Sequence, residues 1–96
     1  MSPINKKKLN LLRVRLDKLD NTLLKIIKKR SNLVNEVLKV KIHKKEIIDQ
    51  KRINFILEKI KKKSIQLNID PKITNRIWKN IIWSFIDYEK RNFKKK

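Results

Sequence analysis

The residues of this chain that could bind an anionic ligand are cations spaced along one predicted helix. Arg30 and Lys41 are eleven residues apart, almost a whole number of helical turns, so they would share a face with roughly 16 Å between their backbones. Two such long side chains can close on a single dianionic ligand. Arg13 precedes Lys41 by 28 residues, or about 42 Å along a straight helix, so it cannot reach that ligand within its own chain.

Two carboxylates are candidates for the same site. Asp49 and Arg52 would share one face at the start of a second helix, either as a local helix-start pair or as part of a binding site. Glu89 follows Phe85 and Ile86 on an apolar helix face. It is therefore either a charge at the rim of that face or a polarised group within a site.

A long helix must position the first three cations. It should begin at Ser2 and Pro3, a favourable N-cap and first helical residue, and continue to about residue 42. Apolar residues recur along it at alternating steps of three and four, which is typical of a helix that packs along a partner helix. Arg30 interrupts this repeat, so it should be buried and paired with a carboxylate or a ligand. The apolar positions, called the seam below, are Leu9, Leu12, Leu16, Leu19, Leu23, Ile26, Leu33, Val37 and Val40.

Two medium helices should complete the fold. We predict one over about residues 49–67 and another over about 71–93, with Asp70 as its N-cap and Pro71 as its first residue. The 96 residues include no glycine and only two prolines, which argues against hairpins. The sequence therefore predicts a single all-α domain spanning residues 1–96.

Association with a second copy is expected because so short a chain can build only a modest core alone. If two first helices pair antiparallel, Arg13 of one chain approaches the region from Arg30 to Lys41 of the other. Twofold symmetry would then create two sites, each built from both chains. Taken alone, Arg13 is better interpreted as a flanking residue whose charged end reaches solvent.

The composition narrows the possible partners. Lysine and arginine number 28 against nine acidic residues, a net charge of +19, so an anionic small molecule or a nucleic acid is the expected partner. The lysines are spread along every segment, as on solvated helix faces, which makes a nucleic-acid-binding bundle the weaker alternative. No cysteine accompanies the single His43 and no glycine loop is available, so neither a metal nor another cofactor is expected. The chain also lacks a membrane-spanning apolar run, and we expect a cytoplasmic protein with no membrane partner.

The order and spacing of the cations resemble the small all-helical chorismate mutase family. The similar segments are Leu19 to Leu24, Lys28 to Arg30, Val37 to Lys41, Asp49 to Arg52 and Ile77 to Ile82. The resemblance covers roughly Leu9 to Phe93 and implies an intertwined homodimer that converts chorismate to prephenate.

The resemblance also implies a role for each charged candidate residue. The two carboxylates of the substrate would be bound by three arginines, namely Arg30, Arg52 and the Arg13 of the partner chain. Lys41 would lie at the breaking ether oxygen, and Asp49 near the substrate hydroxyl.

The apolar helix face departs from the best-known mutases. Ile53 and Phe85, which with Ile86 would line the substrate, replace a glutamate and a serine of those enzymes. Glu89 replaces a glutamine beside the ether oxygen and must be protonated to donate a hydrogen bond, so activity should favour acid. The segment from Ile81 to Glu89 also resembles the related isochorismate pyruvate lyases, which release salicylate and pyruvate. Lyase activity is therefore the alternative within this fold.

Overall fold

Helices account for nearly all of the ordered structure. The computed structural model describes residues 1–95, and within them lie three α-helices, a short 3-10 helix and no strand. The α-helices are α1 (Pro3–Val40), α2 (Gln50–Gln66) and α3 (Pro71–Asn92), and the 3-10 helix is Lys44–Ile47. This architecture confirms the all-α prediction.

The chain divides into two compact units, Met1–Leu33 and Val34–Lys96. The first unit consists almost wholly of α1, which begins where Ser2 Oγ accepts a hydrogen bond of 3.2 Å from the amide of Asn5. None of the 38 residues of α1, all of them described, is buried. The seam is largely open to solvent in the single chain, with Leu19 65% and Leu33 67% exposed.

The end of α1 differs from the prediction. The helix stops at Val40 instead of near residue 42, so Lys41 lies just outside it. The amide of Lys41 bonds to the carbonyl of Leu38 at 3.3 Å, a tightened final turn. The chain then enters the 3-10 helix, where Glu46 Oε1 accepts from the amide of His43 at 3.0 Å. The bond between His43 and Glu46 and the contact of Lys41 described below both stabilise a chain that leaves the helix at Val40.

The turn between α2 and α3 closes without glycine. Asn68 adopts the left-handed conformation with φ of 57°. The amides of Asn68 and Ile69 bond to the carbonyls of Ile65 and Ser64 at 3.1 and 2.8 Å, which is the Schellman pattern. Asp70 then caps α3 by accepting from the amide of Lys72 at 2.9 Å, as predicted.

The second unit contains the core. Buried apolar side chains from the 3-10 helix, α2 and α3 form one cluster, which Ile56, Leu57 and Phe93 border. Ile47, 3% exposed, lies between the first two predicted helices, where no core residue was predicted. Leu67, Ile73 and Ile77 are exposed and lie outside this cluster. The buried members are Ile47, Ile53, Ile82 and Ile86.

Candidate active site

The centre of the site is an ion pair between the segment after α1 and the last turns of α3. Lys41 Nζ lies 3.2 Å from Oε1 and 3.4 Å from Oε2 of Glu89, so both carboxylate oxygens face one ammonium group. The two side chains are only 18% and 7% exposed. By contrast, the Lys39–Glu36 and Arg91–Asp87 pairs join neighbours on one helix and are mostly exposed. Burial weakens screening by water, so the Lys41–Glu89 pair interacts more strongly.

A cleft of about 480 Å³ opens beside Lys41. Lys41 and Asp49 both line it, so the structure brings these two predicted site residues together. Asp49 is also the N-cap of α2, since its Oδ1 accepts from the amide of Arg52 at 3.0 Å. The remaining lining residues, which the sequence analysis did not select, are Glu46, Ile48, Gln50 and Lys51.

The guanidinium group of Arg52 is held by an aromatic ring. Its Cζ atom lies 5.4 Å from the ring centroid of Phe55, a cation–π contact one helical turn along α2. Arg52 is exposed and is not among the residues that line the cleft beside Lys41. In this structure, therefore, the side chain of Arg52 contacts Phe55, which was not predicted from the sequence as a site residue.

The predicted apolar site residues belong largely to the core. Ile53 and Ile86 are each 6% exposed and pack in the buried cluster, and Phe85 is half-buried. Glu89, one turn after Phe85 and Ile86 on α3, is buried as well. The carboxylate therefore lies in the interior and not at an exposed rim.

Arg13 and Arg30 belong to the other unit, Met1–Leu33. Arg13 is exposed. Arg30 is half-buried in the single chain, less than the full burial that the seam predicts, although its Nη1 atom is inaccessible to water.

A hydrogen bond beside the ion pair was not anticipated. Tyr88 Oη donates to Asn35 Oδ1 at 2.7 Å, and both residues are half-buried. The two residues are 53 positions apart in the chain. Helical periodicity offered no signal for this contact, because it relates only residues within one helix.

Comparison with known proteins identifies the family. A family model described as chorismate mutase type II matches residues 12–90, a span that contains every predicted site residue from Arg13 to Glu89. The chain belongs to the chorismate mutase type II family. No curated protein and no solved structure matches it.

Membership of the chorismate mutase type II family supports a mutase-type function for this all-helical chain. No helix within residues 1–95 has the length and apolarity needed to cross a membrane.

Proposed function

We propose that this protein is a chorismate mutase that rearranges chorismate to prephenate in aromatic amino-acid biosynthesis. The observation that carries the proposal is the buried Lys41–Glu89 pair at 3.2 Å, next to a cleft in a chain of this family. In the rearrangement a C–O ether bond breaks while a C–C bond forms, and no atom leaves the molecule. Catalysis therefore requires a folded substrate and stabilisation of charge on the ether oxygen.

Lys41 is proposed to supply that stabilisation. Its ammonium group has three donors, so it can bind the ether oxygen without losing every contact with Glu89. An ionised Glu89 would oppose negative charge on that oxygen, whereas a protonated Glu89 could donate a second hydrogen bond. The proposed mechanism therefore requires a proton on Glu89 when substrate is bound.

The substrate carboxylates are assigned to Arg30, Arg52 and the Arg13 of a second copy. Arginine suits this role because its fork of donors matches a carboxylate. The exposed seam of α1 supports pairing with another chain, since soluble monomers rarely expose so continuous an apolar surface. We therefore propose a homodimer with two sites, each completed by Arg13 across the interface.

Mixed dimers test the shared site. Arg13→Ala and Lys41→Ala chains are prepared separately, mixed in equal amounts and refolded together. If Arg13 acts across the interface, half of the dimers are mixed and each carries one intact site, so about a quarter of wild-type activity should return. No recovery despite subunit exchange, shown by mass spectrometry with one chain isotopically labelled, would mean that Arg13 and Lys41 do not act in one site from different chains. An Arg13→Ala homodimer with wild-type activity would exclude Arg13 from the site.

A second candidate function is isochorismate pyruvate lyase activity. It is favoured by Ile53, which packs into the apolar core where a mutase would place a glutamate on the ring hydroxyl. Purified protein given chorismate and isochorismate separately distinguishes the reactions. Prephenate without salicylate supports the mutase, and salicylate with pyruvate supports the lyase. Turnover of neither substrate would exclude both and favour the basic nucleic-acid-binding alternative.

A further inference from the structure

The hydrogen bond between Tyr88 and Asn35 has no role in the mechanism proposed above. Its 2.7 Å length between half-buried groups makes it one of the shortest side-chain contacts of the second unit. Tyr88 and Asn35 line a second cleft, of about 430 Å³, and not the cleft beside Lys41. The informative feature of their bond is its position next to the Lys41–Glu89 pair.

Two polar contacts fasten the same segment to α3. Tyr88 and Glu89 are consecutive on α3, and their partners Asn35 and Lys41 are six residues apart at the end of α1 and just beyond it. Packing here is partial, because Asn35 and Leu38 are half-buried and no residue of α1 is fully buried. Lys41 also lies outside the helix, so the helical backbone does not fix its direction.

We propose that Tyr88 and Asn35 are positioning residues that hold the end of α1 against α3 and so keep Lys41 and Glu89 in their reactive geometry. This inference rests on the proposed function, because it concerns the same two groups. Misplacement of a catalytic group by a fraction of an ångström to about 1 Å can cost up to about a hundredfold in rate. The hydroxyl of Tyr88 acts through Lys41 and touches no substrate.

Activity measurements on four variants test the proposal. Tyr88→Phe keeps the ring and removes only the donor, and Asn35→Leu removes the acceptor. Each should lower kcat about tenfold with KM within about twofold, because the arginines that bind carboxylates are unchanged. The double variant should lose no more than either single variant, since both remove one shared bond. Asn35→Asp, which keeps an acceptor oxygen, should restore most of kcat.

Trp83→Phe is the matched control, because Trp83 is an exposed aromatic residue on the same helix. Its kcat should equal that of the wild type. Multiplying losses in the double variant, or an unchanged kcat in both single variants, would overturn the proposal. Circular dichroism confirms that each variant is folded at the assay temperature.

Nuclear magnetic resonance provides a readout that does not depend on turnover. In the wild type, the ammonium protons of Lys41 should exchange slowly with water because Glu89 holds them. Tyr88→Phe and Asn35→Leu should accelerate this exchange at least about fivefold, whereas Trp83→Phe should not. Unchanged exchange in both variants would overturn the positioning role even if they lose activity. If the wild type turns over neither substrate, the proposed function fails, but accelerated exchange would still support the positioning of Lys41.

Discussion

The two units of this chain differ in how far their apolar side chains are buried. In the second unit, Ile47, Ile53, Ile82 and Ile86 come from three different elements and bury one another. In the first unit, the seam positions from Leu9 to Leu33 follow a regular three-four repeat, yet most of them remain open to solvent. Regular spacing alone thus does not indicate which side chains a single chain can bury. One unit therefore contains its own core, whereas the apolar side chains of the other remain largely exposed in the single chain.

The chemistry follows the same division. Lys41, Asp49 and Glu89 are assembled within the second unit, whereas Arg13 lies on the first. In the proposed dimer, the second unit supplies the groups at the reacting bond, and α1 places Arg13 in the site of the other chain. Substitutions in the second unit should therefore lower the rate or the stability, whereas substitutions on the seam should separate the two chains.

The largest effect is expected from Lys41→Ala. Loss of the donor to the ether oxygen should raise the barrier by about 3 kcal/mol or more, so kcat/KM should fall about a hundredfold to a thousandfold. Chorismate consumption followed by absorbance measures the change. Lys39→Ala is the control, because Lys39 is exposed and forms an ion pair with nearby Glu36 on the same helix. Equal losses in the two variants would indicate a general effect of charge and not a role specific to Lys41.

The next largest effect is expected from Leu19→Glu on the seam. A charge placed within a buried helix interface carries a large desolvation cost, so the dimer should dissociate at micromolar concentration. Asn21→Glu adds the same charge to an exposed position off the seam and should leave the dimer intact. Sedimentation velocity measures both. A monomeric wild type, or a Leu19→Glu variant that remains dimeric, would contradict the proposed role of the seam.

A core substitution provides the contrast between the units. Ile82→Ala should lower the free energy of unfolding by about 2–5 kcal/mol, since it leaves a cavity in the buried cluster. Under native conditions this variant should still sediment as the dimer. Dimerisation would then depend on the seam, and the free energy of unfolding on the core, so that each could be changed without the other.

Local signals in the sequence were sufficient to predict where α1 and α3 begin. Ser2 before Pro3 and Asp70 before Pro71 act through hydrogen bonds within three residues, so residue types alone indicate them. The end of α1 lies two residues before the approximate predicted position, where Lys41 contacts Glu89 far along the chain. Ile47 was missed because a four-residue 3-10 helix is too short to show a period.

The site could be predicted only as far as residue types allow. The resemblance selected Lys41 and Glu89 separately, but their direct pairing depends on how α3 packs after the chain leaves α1. The Tyr88–Asn35 bond depends on the same packing and crosses 53 residues. Neither contact follows from spacing within a helix, so tertiary structure was required to find them.

A smaller effect on rate is expected from Glu89→Gln. Glutamine keeps a hydrogen-bond donor at this position and carries no negative charge that would oppose charge on the ether oxygen, so kcat/KM should rise, by up to about tenfold. Glu36→Gln, at an exposed position on α1, should leave kcat/KM unchanged. Steady-state kinetics with chorismate measure both variants. A lower kcat/KM in Glu89→Gln would contradict a hydrogen-bond donor at position 89 in the mechanism.

The smallest effect is expected from Asn68→Gly in the turn between α2 and α3. Asn68 holds φ at 57°, a conformation that glycine adopts without a Cβ clash, so glycine should stabilise the fold by about 0.5 kcal/mol. Asn68→Ala should destabilise it by about 1 kcal/mol, because alanine has the clash without the local polar contacts of asparagine. Urea unfolding of each variant measures both changes. If the second unit is stable through its own core, the same differences should appear in the dissociated Leu19→Glu background. Loss of the differences in that background would mean that the second unit also needs a partner chain to fold.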